Sequence, residues 1–155
     1  MDSIERILFA HPFFSGLPSE PLKALAANAS LDVYAPGDYL FHTGEPAGRC
    51  FVIQEGRVAI EVFDQAKGTI VLETVGEPSV IGWSWLLEPR EWSVDAQATT
   101  LSRVISLDAR VLHETCENDE VFGFALYLRF SEALAQHFQA LLHRFAESQA
   151  NPPSK

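Results

Sequence analysis

The sequence predicts an α+β protein that is mainly β: a jelly roll, or double-stranded β-helix, of about eight strands. Short N-terminal helices precede it and one long C-terminal helix follows. Three observations carry this. Glycine and proline turns (Pro36-Gly37-Asp38, Gly44-Glu45-Pro46, Glu55-Gly56, Lys67-Gly68) punctuate short apolar runs between Leu31 and Leu107. Within Arg57–Phe63, Val58, Ile60 and Val62 alternate with Ala59 and Glu61, the period-two mark of a half-buried strand. From Asn118 to Ser148 no proline and only Gly123 interrupts a helical pattern. One domain is expected, divided into helices over 1–30, a β-roll over 31–108, helices over 109–148 and a flexible tail over 149–155.

The elements follow in order. Ile4, Ile7 and Leu8 have helical spacing, and His11–Leu17 forms a turn. After a cap at Pro18-Ser19-Glu20 the spacing resumes at Leu22, Leu25, Ala26 and Ala29. Strands are expected at Leu31–Tyr34, Tyr39–His42, Cys50–Gln54, Val58–Phe63, Thr69–Val75, Ser93–Ala98 and Arg103–Leu107. Ala109–Cys116 suits a short helix, and Asn118 or Asp119 suits the N-cap of the long one. About 30 residues at ~1.5 Å each reach roughly 45 Å, more than one small domain needs to cover itself. Tyr127, Phe130, Leu134, Phe138, Leu141 and Phe145 step by three or four, and Leu128, Ala135 and Leu142 broaden that stripe. A homodimer through this helix is the expectation.

Charge and composition exclude several classes. With 47% hydrophobic residues and eleven phenylalanines the 155-residue chain has ample material for a core. A formal charge of −10 argues against gripping nucleic acid or an anionic membrane surface, since both need a basic face. Cys50 lies in the apolar run Cys50-Phe51-Val52-Ile53 and reads as a small buried hydrophobe; Cys116 stands far from it, without metal-ligand spacing. No leader and no run of ~18 apolar residues is seen, so a cytoplasmic protein is expected. Of the five histidines only His42 falls in the β-zone, which rules out three converging strand ligands, and no Gly-x-Ser-x-Gly motif is present. Glu61 and Glu73 read as strand residues on a solvated face. The chain is therefore not expected to be an enzyme and needs no cofactor.

All three tryptophans fall in Gly82-Trp83-Ser84-Trp85-Leu86-Leu87-Glu88-Pro89-Arg90-Glu91-Trp92. A glycine turn with backbone N–H groups beside an arginine is a workable anion cradle.

Pro36-Gly37-Asp38-Tyr39-Leu40-Phe41, Gly44-Glu45 and Phe51-Val52-Ile53-Gln54-Glu55-Gly56-Arg57-Val58, with Phe14-Ser15-Gly16-Leu17-Pro18 ahead of them, resemble the cyclic nucleotide-binding domain of the Crp/Fnr type. The resemblance spans roughly Ile4 to Phe145. It implies that Gly82–Ala96 is the phosphate-binding cassette, with cyclic AMP or cyclic GMP as the candidate ligand. Gly82 matches the cassette glycine. Arg90, six residues before Ala96, matches the phosphate arginine. The ribose-binding glutamate is replaced by Trp83, the two residues after the arginine are Glu91 and Trp92, and the segment is shorter than in the catabolite-activator type. Indole has no acceptor for a ribose hydroxyl. The tryptophans either fill the pocket or wall it for another small anionic or aromatic ligand, and Arg90 is either a phosphate clamp or the partner of Glu88, Glu91 or Asp95. Gly82, Trp83, Ser84, Trp85, Arg90, Glu91 and Trp92 are the ligand-site candidates, and Tyr127, Arg129 and Phe130 lie where the family's long helix approaches the ligand.

After the long helix too few residues remain for a helix-turn-helix, so direct DNA binding is not expected. The reading is a stand-alone sensor that signals to a separate, unknown protein partner. The alternative is a ligand-free interaction module of the same fold.

Overall fold

A computed structural model describes residues 3–150. Helices α1 (Ser3–Ala10) and α2 (Ser19–Ala27) precede strands β1 (Ser30–Tyr34), β2 (Tyr39–Phe41), β3 (Arg49–Glu55), β4 (Arg57–Asp64), β5 (Gly68–Gly76), β6 (Ser79–Ile81), β7 (Asp95–Ala98) and β8 (Ser102–Asp108). A single 3-10 turn, Ser84–Leu86, sits between β6 and β7, and α3 (Ala109–Asn118) and α4 (Glu120–Ala150) complete the chain. The strand missing from the sequence reading is β6, three residues that follow Pro78 and carry too little pattern to register.

The strands form two four-stranded antiparallel sheets, in the orders β1-β8-β3-β6 and β2-β7-β4-β5. The middle strands are buried on both faces: Cys50, Val52, Ile53, Val58, Ala96, Val104 and Ile105 have essentially no exposed surface. Gly56 joins β3 to β4 at φ +102°. A Cβ there would lie 2.6 Å from the Leu101 carbonyl, so only glycine fits the corner. Opposite β4, Ile60 faces Glu73 and Glu61 faces Val71, which leaves Leu72 as the extra residue of a β-bulge.

Both C-terminal helices are capped by aspartate. Asp108 Oδ1 accepts from the Arg110 and Val111 amides at 2.8 and 3.2 Å; Asp119 Oδ1 accepts from the Phe122 amide at 3.0 Å. The chain reverses sharply between α3 and α4. Gly123 permits this, because a Cβ there would lie 2.7 Å from the Cys116 carbonyl.

Helix α4 carries two apolar faces, where the sequence suggested one broad stripe. Phe122, Leu126 and Phe130 are buried against the rest of the domain. Val121, Phe124, Leu128, Ser131, Ala135, Phe138, Leu142 and Phe145, spaced alternately three and four apart, face solvent. Phe124 is 72% and Phe145 64% exposed. Phe130 therefore belongs to the core and not to the same stripe as Phe138 and Phe145. The expected tail is in part helical, since Gln149 and Ala150 continue α4; positions 151–155 lie outside the described residues.

Three side chains tie α4 to the rest of the domain. Arg129 donates to the carbonyls of Pro12, Phe13 (2.6 Å) and Ser15 (2.8 Å), and so holds the turn between α1 and α2. Nδ1 of His137 lies 2.6 Å from Glu73 Oε2 on β5. Arg144 donates to the carbonyl of Leu72, the bulge residue, and to that of Val71. The bulge thus provides the polar group that anchors the far end of the helix.

Candidate functional site: the segment between β6 and β7

Residues 82–94 cross from one sheet to the other. Gly82 starts the crossing at φ +89°. The Leu86 amide donates to the Trp83 carbonyl at 3.0 Å and the Arg90 amide to the Leu87 carbonyl at 2.9 Å, so these two donors serve the segment's own turns. The returning limb is braced by the loop after β2. Gly44 N–H donates to the Trp92 carbonyl (2.8 Å), Trp92 N–H to the Glu45 carbonyl (2.9 Å), and Ala47 N–H to the Arg90 carbonyl (2.8 Å). The Gly44-Glu45 turn therefore fixes the backbone on which Trp92 is carried.

The structure does not gather the seven candidates around one cavity. Trp92 is buried between the sheets, its ring 3.8 Å from that of Phe41 and almost parallel to it. A Cβ on Gly82 would meet the edge of that indole at 2.9 Å. The cavity lined by Phe41, Ile60, Gly82, Trp83, Ser84, Trp92 and Val94 has about 10 Å³ left, room for one water at most. Trp85 is also fully buried, edge-on to Phe130 and to His113, and its carbonyl lies 2.8 Å from His113 Nε2. It pins the 3-10 turn to α3 and α4.

Arg90 has left-handed backbone, φ +57°, and lies outside that cavity. Its Nε is 3.6 Å from Glu88 Oε1, and it lines a separate cleft of about 270 Å³ with Trp85, Arg110 and His113. Glu91 is exposed and bridges to Pro46. Asp95 turns away to accept from the Thr43 amide at 2.7 Å. Trp83, half-buried, lies at 5.0 Å ring to ring from His137 on α4. Of the three α4 residues expected near a ligand, Arg129 holds the α1–α2 turn, Phe130 is in the core and Tyr127 is partly exposed.

Sequence reasoning missed the joint Trp83–His137–Glu73, which links the crossing segment to α4 and β5. Its only signal was that His137 falls on the helix face opposite the exposed stripe. Glu61 is a correction: it is 4% exposed rather than solvated, with Oε1 unpartnered. Burial, and next the charge of Asp95, push its carboxyl above the usual range, while a hydrogen bond from Tyr39 works the other way. Burial likewise pushes the Cys50 thiol far up, in keeping with an inert core residue. Among the described residues no group of histidines, cysteines and carboxylates is arranged to hold a metal, and no helix is long and apolar enough to cross a membrane.

Residues 31–119 match the family model described as the cyclic nucleotide-binding domain. Over 88 residues, 57% of this chain, the sequence is 31% identical to a cyclic nucleotide-gated cation channel protein of Drosophila melanogaster, of which it spans only 12%. A solved protein from Geobacter metallireducens GS-15, named for cyclic nucleotide binding, superposes with a TM-score of 0.77 at 25% identity, covering 89% of this chain and 99% of its own. A cyclic nucleotide-binding domain from Methylobacillus flagellatus KT superposes at 0.78 with 19% identity, over 94% and 82% of the two chains, a likeness of fold alone. The matched residues include both sheets and the crossing segment that holds Gly82, Arg90 and Trp92, and on that footing the chain is a member of the cyclic nucleotide-binding domain family.

Proposed function

We propose that the chain is a regulatory module that works as a homodimer through α4 and passes the state of its cassette, residues 82–94, to a separate protein partner in the cytoplasm. One observation carries this reading. Trp83, which the resemblance places at the family's ligand-binding carboxylate, packs on His137, on the inner face of the same helix that carries Phe138 on its exposed stripe. A movement of the cassette is thereby a movement of α4. The stripe itself suits a second copy, since apolar residues three and four apart form the seam of paired helices, with Ser131 and Ala135 allowing close approach at its middle.

Light scattering on the parent chain is expected to give a dimer, and the Phe138→Glu, Leu142→Glu variant a folded monomer, with dimer affinity reduced about 100-fold or more. A monomeric parent removes the proposal.

A second reading, the ligand-free interaction module, is favoured by the closed cavity. To admit a nucleotide into this cavity the protein must expel Trp92 and re-expose roughly 150–250 Å² of aromatic surface. At ~25 cal/mol per Å² that subtracts about 4–6 kcal/mol from the affinity of any such ligand. Calorimetric titration with cyclic AMP, cyclic GMP and cyclic dinucleotides separates the readings, and binding near micromolar Kd excludes the second.

A further inference from the structure

The turn between α1 and α2 is built around one buried histidine. His11 is 7% exposed, and its Nδ1 accepts from the Phe13 amide at 3.1 Å, which leaves the ring hydrogen on Nε2. That nitrogen is buried and meets no acceptor among the described residues. The amides of Phe14 and Ser15 both donate to the His11 carbonyl at 3.0 Å, so the side chain and main chain of a single residue shape positions 11–15. This turn is also what α4 grips. Arg129 donates to three of its carbonyls, and the Phe13 ring lies edge-on to Phe130 at 4.9 Å; Phe130 in turn meets Trp85 at 5.3 Å.

A neutral ring fits this arrangement and an imidazolium does not. Protonation turns Nδ1 into a second donor, aimed at the Phe13 N–H that it now serves, and buries a charge. The charges nearby give no relief. Helix α4 brings the Arg129 guanidinium, a like charge, to the same turn. The carboxylates of Glu73, Glu77 and Glu132, with His137, border the cleft beside Pro12 and Phe13 but accept nothing from the His11 ring. On α2, Glu20 and Lys23 pair with each other, and Glu5 and Arg6 lie on α1 itself.

We propose that this turn is an acid-sensitive latch: it closes on neutral His11, and protonation opens residues 11–15 and loosens the hold of Arg129 on them. Proton uptake at the N-terminal helices reaches α4 in this way, through Arg129 and through Phe13 on Phe130. The latch depends on neither the cassette nor the dimer. Burial pushes the His11 pKa below its ordinary value of 6.5, so the unfolded chain takes up this proton before the folded one does. Stability contributed by the latch is therefore full above about pH 6.5 and is lost as pH falls from there toward the folded value.

The test compares the full chain with His11→Asn. An asparagine oxygen accepts from the amide two residues on, as Nδ1 does here, and takes up no proton in this range. The other four histidines are common to both chains and cancel in the difference. Between pH 7.5 and pH 5.5 the parent is expected to lose about 3–6 °C of melting temperature relative to the variant, one proton being worth up to about tenfold in the folding constant per pH unit. Chymotrypsin nicking at Phe13 and Phe14 reads the opening itself. Its rate, taken as parent over variant at each pH so that the protease's own profile cancels, is expected to rise about tenfold over the same range. Parallel profiles of parent and variant overturn the proposal. So does a relative fall in melting temperature with no rise in the nicking ratio, which makes His11 a buried base without a latch. Should His11→Asn not fold, the ring resonances of His11 in the parent decide. Titration below pH 6.5, with loss of amide protection at Phe13–Ser15, supports the latch. Titration at or above that value, or unchanged protection at those amides, overturns it.

Discussion

The cassette and the long helix both carry more aromatic and aliphatic surface than their neighbours, and they dispose of it in opposite directions. In the cassette, Trp85 and Trp92 are turned fully inward and the cavity between the sheets is closed. On α4 a complete seam from Val121 to Phe145 is left in water. A contiguous exposed apolar stripe of that kind marks an interaction surface, whereas the closed cavity leaves Trp92 no open contact with small molecules there. That contrast is what the proposed dimer through α4 rests on: the exposed apolar surface lies on the outside of the helix, while the crossing segment packs inward.

The largest test of that contrast is Trp85→Ala. This indole joins the cassette to Phe130 and His113, so its loss is expected to cost about 3–5 kcal/mol in urea unfolding followed by circular dichroism at fixed protein concentration. Trp83→Ala, at a half-buried position, is expected to cost much less in stability but to weaken the dimer, because its contact is with α4. Equal losses from the two variants break the distinction between an anchoring tryptophan and a transmitting one.

The glycines give a finer test. Gly37 and Gly82 have nearly the same backbone, φ +95° and +89°, but a Cβ at Gly37 meets nothing within 4 Å, while one at Gly82 strikes Trp92. Alanine at either site carries the left-handed penalty of roughly 1–2 kcal/mol. Gly82→Ala is expected to cost a further ~1 kcal/mol or more for moving the indole. The difference between the two variants reads the Trp92 contact with the backbone strain subtracted. Equal costs show that the indole is loosely held.

Much of this was legible in the sequence, and the reasons are local. The turn glycines and the alternation in β4 are short-range signals, and they placed the roll and the helices to within a few residues. Gly82, Arg90 and Ala96, whose order resembles the family's, pointed to the segment between β6 and β7. The direction of a side chain in irregular structure is not a short-range property. Arg90, read from the resemblance as a phosphate clamp or a carboxylate's partner, has left-handed backbone, lies 3.6 Å from Glu88 and lines another cleft. Trp92 was ambiguous between wall and filling because only the distance to Phe41 decides it. On α4, a spacing of three and four is common to a core face and a dimer seam, and the packing of Phe122, Leu126 and Phe130 is what separates them.

The smallest effect lies on the second sheet, close to the cassette but not part of its packing. Glu61 is buried beside Asp95, which also sits 3.7 Å from His42 Nδ1. Because burial and Asp95 raise the carboxyl's pKa in the folded state, the folded protein holds that proton to a higher pH than the unfolded chain does. Stability contributed by this group is therefore full below about pH 4.5, the ordinary glutamate value, and is lost as pH rises through the folded value. Glu61→Gln keeps the shape and removes the charge. It is expected to stabilise the protein at pH 7 by less than either glycine substitution changes it, and to be close to neutral at pH 4. Melting temperatures of parent and variant across that range check the sign; a variant that gains more at pH 4 than at pH 7 shows that the carboxylate is satisfied in the folded state. Since Glu61 pairs with Asp95, the first residue of β7 after the cassette, the same measurement reports whether charge on this face reaches the cassette's end.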